Sequence, residues 1–98
     1  MAPCCYILFS KSLNRFYVGS CHLDLLQRIE KHNSHFYGNN RFTAAANDWL
    51  LFLRIPAKDY PHATRMEKLI KSMKSSTYIR NLILYPQMID NIITKTSN

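Results

Sequence analysis

The sequence has few of the residues that mark linkers and repeats. It contains two glycines and four prolines in 98 residues, and no tract rich in serine and proline. This composition argues against a linker, a low-complexity segment or a repeat array. The length predicts one small domain with a single modest core, for which a hydrophobic content of 47% is sufficient.

Long apolar runs and a disulfide framework are also missing. No apolar run approaches the roughly 18 residues that a membrane-spanning helix needs, so we expect no membrane partner. The three cysteines are an odd number, Cys4 and Cys5 are adjacent, and no secretory signal precedes them. We therefore expect a reducing, cytoplasmic setting in which the thiols act as small apolar side chains.

Acidic residues are scarce. Six Asp and Glu stand against 13 Lys and Arg, which gives a net charge of +7, and the basic residues recur from Lys11 to Lys95. A basic surface favours a polyanionic partner because each neutralised phosphate releases condensed counterions. Charge alone leaves open the alternative that it only maintains solubility.

The start of the chain predicts an antiparallel hairpin. Residues 5–9 form a short apolar run rich in aromatic and β-branched side chains, and a polar turn separates it from a second strand that Gly19 is expected to stop. If the midpoint of the turn lies between Lys11 and Ser12, Tyr6 and Tyr17 are direct cross-strand partners on one face of the sheet.

The remaining pattern predicts helices around one further strand. Apolar residues recur at helical spacing in 23–33 and 62–75, a shorter helix is expected over 77–84, and the strand begins at Trp49 and ends at Pro56. This order, β-β-α-β-α-α, predicts an α+β fold with a small three-stranded antiparallel sheet flanked by helices. The core is expected over about 5–84 and a helical tail over 85–98. This tail closes the core or forms a dimerisation patch, so a monomer and a weak homodimer are both open.

Five polar residues are candidates for chemistry, and each also has a structural interpretation. Tyr6 and Tyr17 are typical aromatic residues of a sheet, Arg28 and His32 fit a solvated helix face, and Glu67 can pair with Lys71 one turn later. Jointly they supply a metal ligand, a base and a cation. Hydrolysis of a phosphodiester needs these three roles.

The order of the motifs resembles the GIY-YIG nuclease family. Residues 5–8 and 16–19 resemble the two strands that name the family, and 26–33 resemble its Arg-containing helix. Residues 41–43 with 49–52 resemble the aromatic-Thr and Trp-strand segment of small bacterial members, and 63–71 resemble the helix that carries the metal-binding Glu. The likeness covers about residues 5–84.

The resemblance implies a metal-dependent endonuclease and assigns roles to the five residues. It makes Glu67 the ligand of a single Mg²⁺ or Mn²⁺, and Arg28 the cation that stabilises the phosphoryl group. It makes Tyr17 or Tyr6 the general base, with His32 assisting because a phenol is protonated at neutral pH. The implied products carry a 5′-phosphate and a 3′-hydroxyl, and the implied processes are DNA repair, mobile-element movement and restriction.

The sequence departs from the pattern of the family at two places. Cys4 and Cys5 replace the Gly-Ile of the first motif, and Ser20 stands where related excision-repair endonucleases often carry a lysine.

The partner is expected to be DNA, branched or flapped, because little surface is available to read sequence. Six residues are candidates for phosphate contacts: Lys11, Arg15, Arg41, Lys68, Lys71 and Lys74. The alternatives are a catalytically silent nucleic-acid-binding module and a nuclease subunit of a larger complex.

Overall fold

A computed structural model describes residues 3–34 and 42–97, without the side chains of Phe42 and Thr43. Arg41, one of the predicted phosphate contacts, lies outside the described residues. The elements are β1 (Cys4–Ser10), β2 (Arg15–Cys21), α1 (Leu25–Asn33), a 3-10 helix (Phe42–Ala45), β3 (Trp49–Pro56), α2 (Tyr60–Met73), α3 (Ser76–Leu84) and α4 (Pro86–Thr96). The predicted α+β fold is confirmed: the three strands form one antiparallel sheet with helices, in the order β-β-α-β-α-α, and α4 follows.

Strand β1 is the central strand of the sheet, in the order β2-β1-β3. Its side chains alternate between two separate apolar clusters. Cys5 and Ile7 belong to the cluster formed with α2, α3 and α4, whereas Cys4, Tyr6 and Leu8 belong to the cluster formed with α1. Since helices cover both faces, every residue from Cys4 to Leu8 is buried. This explains why the strand is a continuous apolar run.

The register of the hairpin differs from the predicted one. Tyr17 pairs with Leu8, and Tyr6 pairs with Gly19, so the two tyrosines are not direct partners. The difference is two residues along one strand, which preserves the face of every side chain. Tyr6 and Tyr17 therefore still lie on one face, as diagonal neighbours. Gly19 does not stop β2, which continues to Cys21.

Asp48 fixes the turn of this hairpin. Its carboxylate accepts hydrogen bonds from the Ser10 hydroxyl at 2.6 Å and the Ser12 amide at 2.9 Å. The Ser10 hydrogen bond, followed by that of the Ser12 amide, lowers the pKa of the Asp48 carboxyl. Asn14 completes the turn in the left-handed region, with φ 52°. These contacts set the turn over residues 11–14 and hence the observed register.

Two helices begin where an aspartate accepts hydrogen bonds from free backbone amides. Asp24 accepts from the amide of Gln27, so α1 begins at Leu25 and not at residue 23. Asp59 accepts from the amide of His62, so α2 begins two residues earlier than predicted. Lys74, with φ 48°, ends α2 in the left-handed region.

The cysteines and the last helix contribute to the core. Cys4, Cys5 and Cys21 are free thiols and all are buried. Burial, and secondarily the negative charge of Glu67, raises the pKa of the Cys5 thiol to about 12. Helix α4 places Ile92 in the cluster beneath α2, so this helix helps to close the core. Among the helices in the described part of the chain, none is long and apolar enough to cross a membrane.

Candidate active site

A buried tyrosine on β1 is the centre of one half of the site. The Tyr6 hydroxyl lies 2.9 Å from His32 Nε2, and Arg28 Nε donates a hydrogen bond to the same oxygen at 3.3 Å. The Tyr6 side chain is fully buried and His32 is 4% exposed. The solvated-face interpretation is therefore wrong for His32, whose ring belongs to a buried polar network.

Helix α1 presents Arg28 and His32 to Tyr6 because the two residues are one turn apart. The last residue of the helix, Asn33, fixes its position against β3. The Asn33 side chain accepts from the Trp49 amide at 2.7 Å and donates to the Trp49 carbonyl at 3.0 Å. This bidentate contact holds the end of the helix, and with it the neighbouring His32, against the sheet.

Tyr17 occupies the middle of the site. It is half-buried on the edge strand β2. The centroid of its ring lies 4.9 Å from that of His32, 6.4 Å from that of Tyr6 and 6.3 Å from that of Trp49. The two tyrosines thus share one environment but differ in solvent exposure, since Tyr6 is fully buried and Tyr17 reaches the surface.

Glu67 on α2 forms the other half of the site. Ser20 Oγ donates a hydrogen bond to Glu67 Oε1 at 2.7 Å, and Lys71 Nζ lies 2.6 Å from Glu67 Oε2. The pair of Glu67 with Lys71, considered above as a structural interpretation, is present. The Lys71 ammonium also lies over the Tyr17 ring, 5.6 Å from its centroid. Lys71 therefore connects the carboxylate to the tyrosine cluster, and all five candidate residues lie in one connected group.

The side chains near Glu67 that could act as metal ligands indicate which ion the site could bind. Among the described residues, no group of three or more His, Cys, Asp or Glu side chains is placed to hold a metal. Zinc sites use several nitrogen or sulfur ligands, so the donor set does not fit zinc. One partly exposed carboxylate does fit Mg²⁺ or Mn²⁺, because these ions keep several waters and accept phosphate oxygens as further ligands.

The described residues among the predicted phosphate contacts are exposed. Lys11, Arg15, Lys68, Lys71 and Lys74 all reach solvent. Arg15 and Lys74 line one surface depression of about 450 Å³ at the start of α3. Arg28 lines a different depression, of about 240 Å³, next to the loop between β2 and α1. Of the five lysines and arginines, only Lys71 contacts a candidate catalytic side chain in the described contacts.

Gly19 lies against the ring of Tyr6, and this close approach explains why the position is a glycine. A Cβ at residue 19 would lie 2.6 Å from both Cζ and Oη of Tyr6. The ring cannot move away easily, because it is fully buried and its hydroxyl is held by Arg28 and His32. The backbone conformation does not require glycine there; the space does.

We expect Gly19→Ala to lower the free energy of unfolding by about 1–3 kcal/mol, as overpacking of a filled core does. Urea denaturation measures this change. The control is a double-mutant cycle with Tyr6→Leu, whose side chain lacks the two ring carbons and the hydroxyl oxygen that the new methyl group meets. The cost of Gly19→Ala should mostly disappear in the Tyr6→Leu background, and an undiminished cost there would contradict the explanation.

Sequence reasoning identified the acidic and aromatic residues of this group but not the residues that position them. It did not predict three contacts: that of Ser20 with Glu67, that of Gly19 with Tyr6 and that of Asn33 with Trp49. A signal for Ser20 was available: side chains alternate along a strand, so Ser20 lies on the opposite face from Tyr17, towards the helix that carries Glu67. No comparable signal exists for Asn33, because its contact with Trp49 depends on how α1 packs against β3.

The chain was compared with known proteins and families. Residues 2–80 match the GIY-YIG catalytic domain. Because this match covers most of the chain, the protein belongs to the GIY-YIG family, a family of nucleases. Searches of the curated proteins and of the solved structures found no match. The resemblance identified from the ordered motifs is thus confirmed at the level of the family.

Proposed function

We propose that the protein is an endonuclease that hydrolyses phosphodiester bonds in DNA and depends on a divalent metal. Family membership supports nuclease chemistry in general. The observation that carries the proposal is the grouping of Tyr17 with a Tyr6–His32–Arg28 network on one side and the Glu67–Lys71 pair on the other. A base, a phosphate-binding cation and a carboxylate ligand are thereby available in one place.

Tyr17 is the general base in this proposal, and Tyr6 is a positioning residue. The reacting water must reach the base, and the half-buried Tyr17 allows this whereas the fully buried Tyr6 does not. The Tyr6 hydroxyl bonds both His32 and Arg28, so it orients the two side chains relative to each other. The His32 ring lies beside that of Tyr17, with the centroids 4.9 Å apart, and in this proposal it assists removal of the Tyr17 proton.

Arg28 stabilises the charge that develops on the phosphoryl group. Its planar guanidinium suits phosphate oxygens better than an ammonium does. Arg28 is half-buried and lines a surface depression, so one side of it is anchored by Tyr6 while the other is accessible to a ligand. The proposed products carry a 5′-phosphate and a 3′-hydroxyl.

Glu67 is the proposed ligand of Mg²⁺ or Mn²⁺. Its carboxylate is oriented from the strand by Ser20, which donates to one oxygen. When bound, such an ion acts as a Lewis acid that polarises the scissile phosphate and stabilises its added charge. The chain itself supplies one anionic ligand, and substrate and water supply the others.

DNA is the proposed substrate, and the exposed basic residues position its backbone. Lys11, Arg15, Lys68 and Lys74 are exposed, and phosphate contacts of this type fix a duplex without reading its sequence. This favours recognition of DNA by its shape, and a branched or flapped DNA is the proposed substrate. DNA repair in the cytoplasm is the proposed setting.

Cleavage of labelled single-stranded, duplex, flap and junction DNA tests the proposal. The reactions contain Mg²⁺, Mn²⁺ or EDTA. We expect products with either metal and none with EDTA, and a preference for flap or junction DNA. Tight binding without products in any metal would instead support the alternative of a catalytically silent binding module, which the engagement of both Glu67 oxygens by protein groups favours.

A further inference from the structure

Lys71 lies between the two halves of the site. It follows Glu67 by one turn of α2, and its ammonium is 2.6 Å from Glu67 Oε2 and 5.6 Å from the centroid of the Tyr17 ring. The Lys71 side chain is 48% exposed, whereas that of Glu67 is 21% exposed. The ammonium therefore lies at the rim of the site, with room to move on its solvent side.

The two partners of Glu67 differ in how they affect a metal ion. Ser20 is a neutral donor that holds Oε1 and can keep this bond when the carboxylate binds a cation. Lys71 brings a full positive charge to Oε2. A cation bound to the carboxylate beside this ammonium would be repelled by it, so metal binding competes with the observed ion pair.

A displaced Lys71 ammonium remains near the reaction. Its backbone is fixed in α2, its ammonium lies over the Tyr17 ring, and its four-carbon stem is flexible. A scissile phosphate placed for attack by a water at Tyr17 is a neighbouring anion for this ammonium. Arg28 approaches the same pair of tyrosines from α1, through its hydrogen bond to Tyr6.

We propose that Lys71 is a catalytic cation that exchanges partners. In the free protein it neutralises Glu67. When the metal ion and DNA bind, it gives up the carboxylate and binds a non-bridging oxygen of the scissile phosphate. The inference rests on the proposed function of this site and adds a residue to it.

Metal affinity in the absence of DNA provides the first test. Binding of Mn²⁺ to the full chain is measured by electron paramagnetic resonance for the wild type, Lys71→Met and Lys68→Met. Lys68 is an exposed lysine on the same helix, so its variant removes the same charge without breaking the contact to Glu67. We expect Lys71→Met to bind Mn²⁺ about two- to fivefold more tightly than Lys68→Met, as the loss of a partly exposed ion pair predicts.

DNA cleavage provides the second test. We expect Lys71→Met to lower kcat by at least about tenfold with little change in KM, while Lys68→Met affects mainly KM. Lys71→Arg should recover part of the rate, because it restores a cation that reaches phosphate. Tighter metal binding combined with slower cleavage distinguishes partner exchange from a merely structural ion pair.

The possible results separate this inference from the proposed function. Equal Mn²⁺ affinities of the two methionine variants, or a wild-type kcat for Lys71→Met, would overturn the role of Lys71 while leaving the nuclease proposal intact. A wild-type protein that neither binds Mn²⁺ nor cleaves DNA would overturn both. Circular dichroism of each variant confirms that the comparison is between folded proteins.

Discussion

Replacement of Glu67 by glutamine is expected to lower DNA cleavage by at least about a thousandfold. Glutamine keeps the shape of the side chain and an oxygen that can accept from Ser20 Oγ. It removes the negative charge on which metal binding depends in the proposed site. Lewis-acid stabilisation of a phosphoryl group is worth several kcal/mol, and each 1.36 kcal/mol corresponds to about tenfold in rate.

The same substitution should leave the fold almost unchanged. Glu67 and Lys71 form a partly exposed pair, and such pairs contribute at most about 1 kcal/mol. Glu30→Gln is the matched control, since Glu30 is the only other glutamate of the sequence and lies exposed on α1. Cleavage by Glu67→Gln at the rate of the Glu30→Gln control would rule out Glu67 as the metal ligand.

Replacement of Tyr17 by phenylalanine is expected to lower kcat by about 10²–10⁴-fold, the usual contribution of a general base. Phenylalanine retains the ring that packs against His32 and Trp49, so folding should be preserved. The variant lacks only the phenolic oxygen, which in the proposed mechanism accepts the proton of the attacking water. Single-turnover cleavage with saturating metal measures this chemical step directly.

Two further variants show whether the decrease in kcat is caused by removal of the Tyr17 hydroxyl. Tyr85→Phe removes a hydroxyl from an exposed tyrosine between α3 and α4 and should cleave like the wild type. Tyr6→Phe breaks the hydrogen bonds to His32 and Arg28, so we expect slower cleavage together with a loss of stability. A near-normal rate for Tyr17→Phe, with a large loss for Tyr6→Phe at unchanged stability, would make Tyr6 the base.

Much of the fold could be predicted because its determinants are local. Alternation along two neighbouring strands placed Tyr6 and Tyr17 on one face, and this was correct even though the register was not. Spacing of four residues placed Arg28 and His32 on one edge of a helix. The conclusion about the helix depends only on its period, which a sequence displays directly. The shared face of the tyrosines also needs a register that is correct to an even number of residues, and the shift of two meets this condition.

The parts that could not be predicted depend on contacts between distant residues. The register of the hairpin is held by Asp48, which belongs to a later segment and reaches back to Ser10 and Ser12. The burial of His32 follows from packing of α1 on the sheet, and its own helix gives no sign of it. A helix with polar residues at these positions is compatible with both a solvated and a covered face.

The separation of the site along the chain has a consequence for when the proposed activity could begin during synthesis of the protein. Tyr6 and Tyr17 lie on the first hairpin, Arg28 and His32 follow on α1, and Glu67 arrives only with α2, after β3 has been made. A ribosome-bound chain that has released only the hairpin and α1 therefore has no carboxylate with which to bind a metal at this site. Contacts between residues so far apart also require closure of a long loop, which costs entropy and slows folding. In the proposed mechanism, a chain that ends before α2 therefore cannot cleave DNA, because it lacks the metal ligand even when all three strands are present.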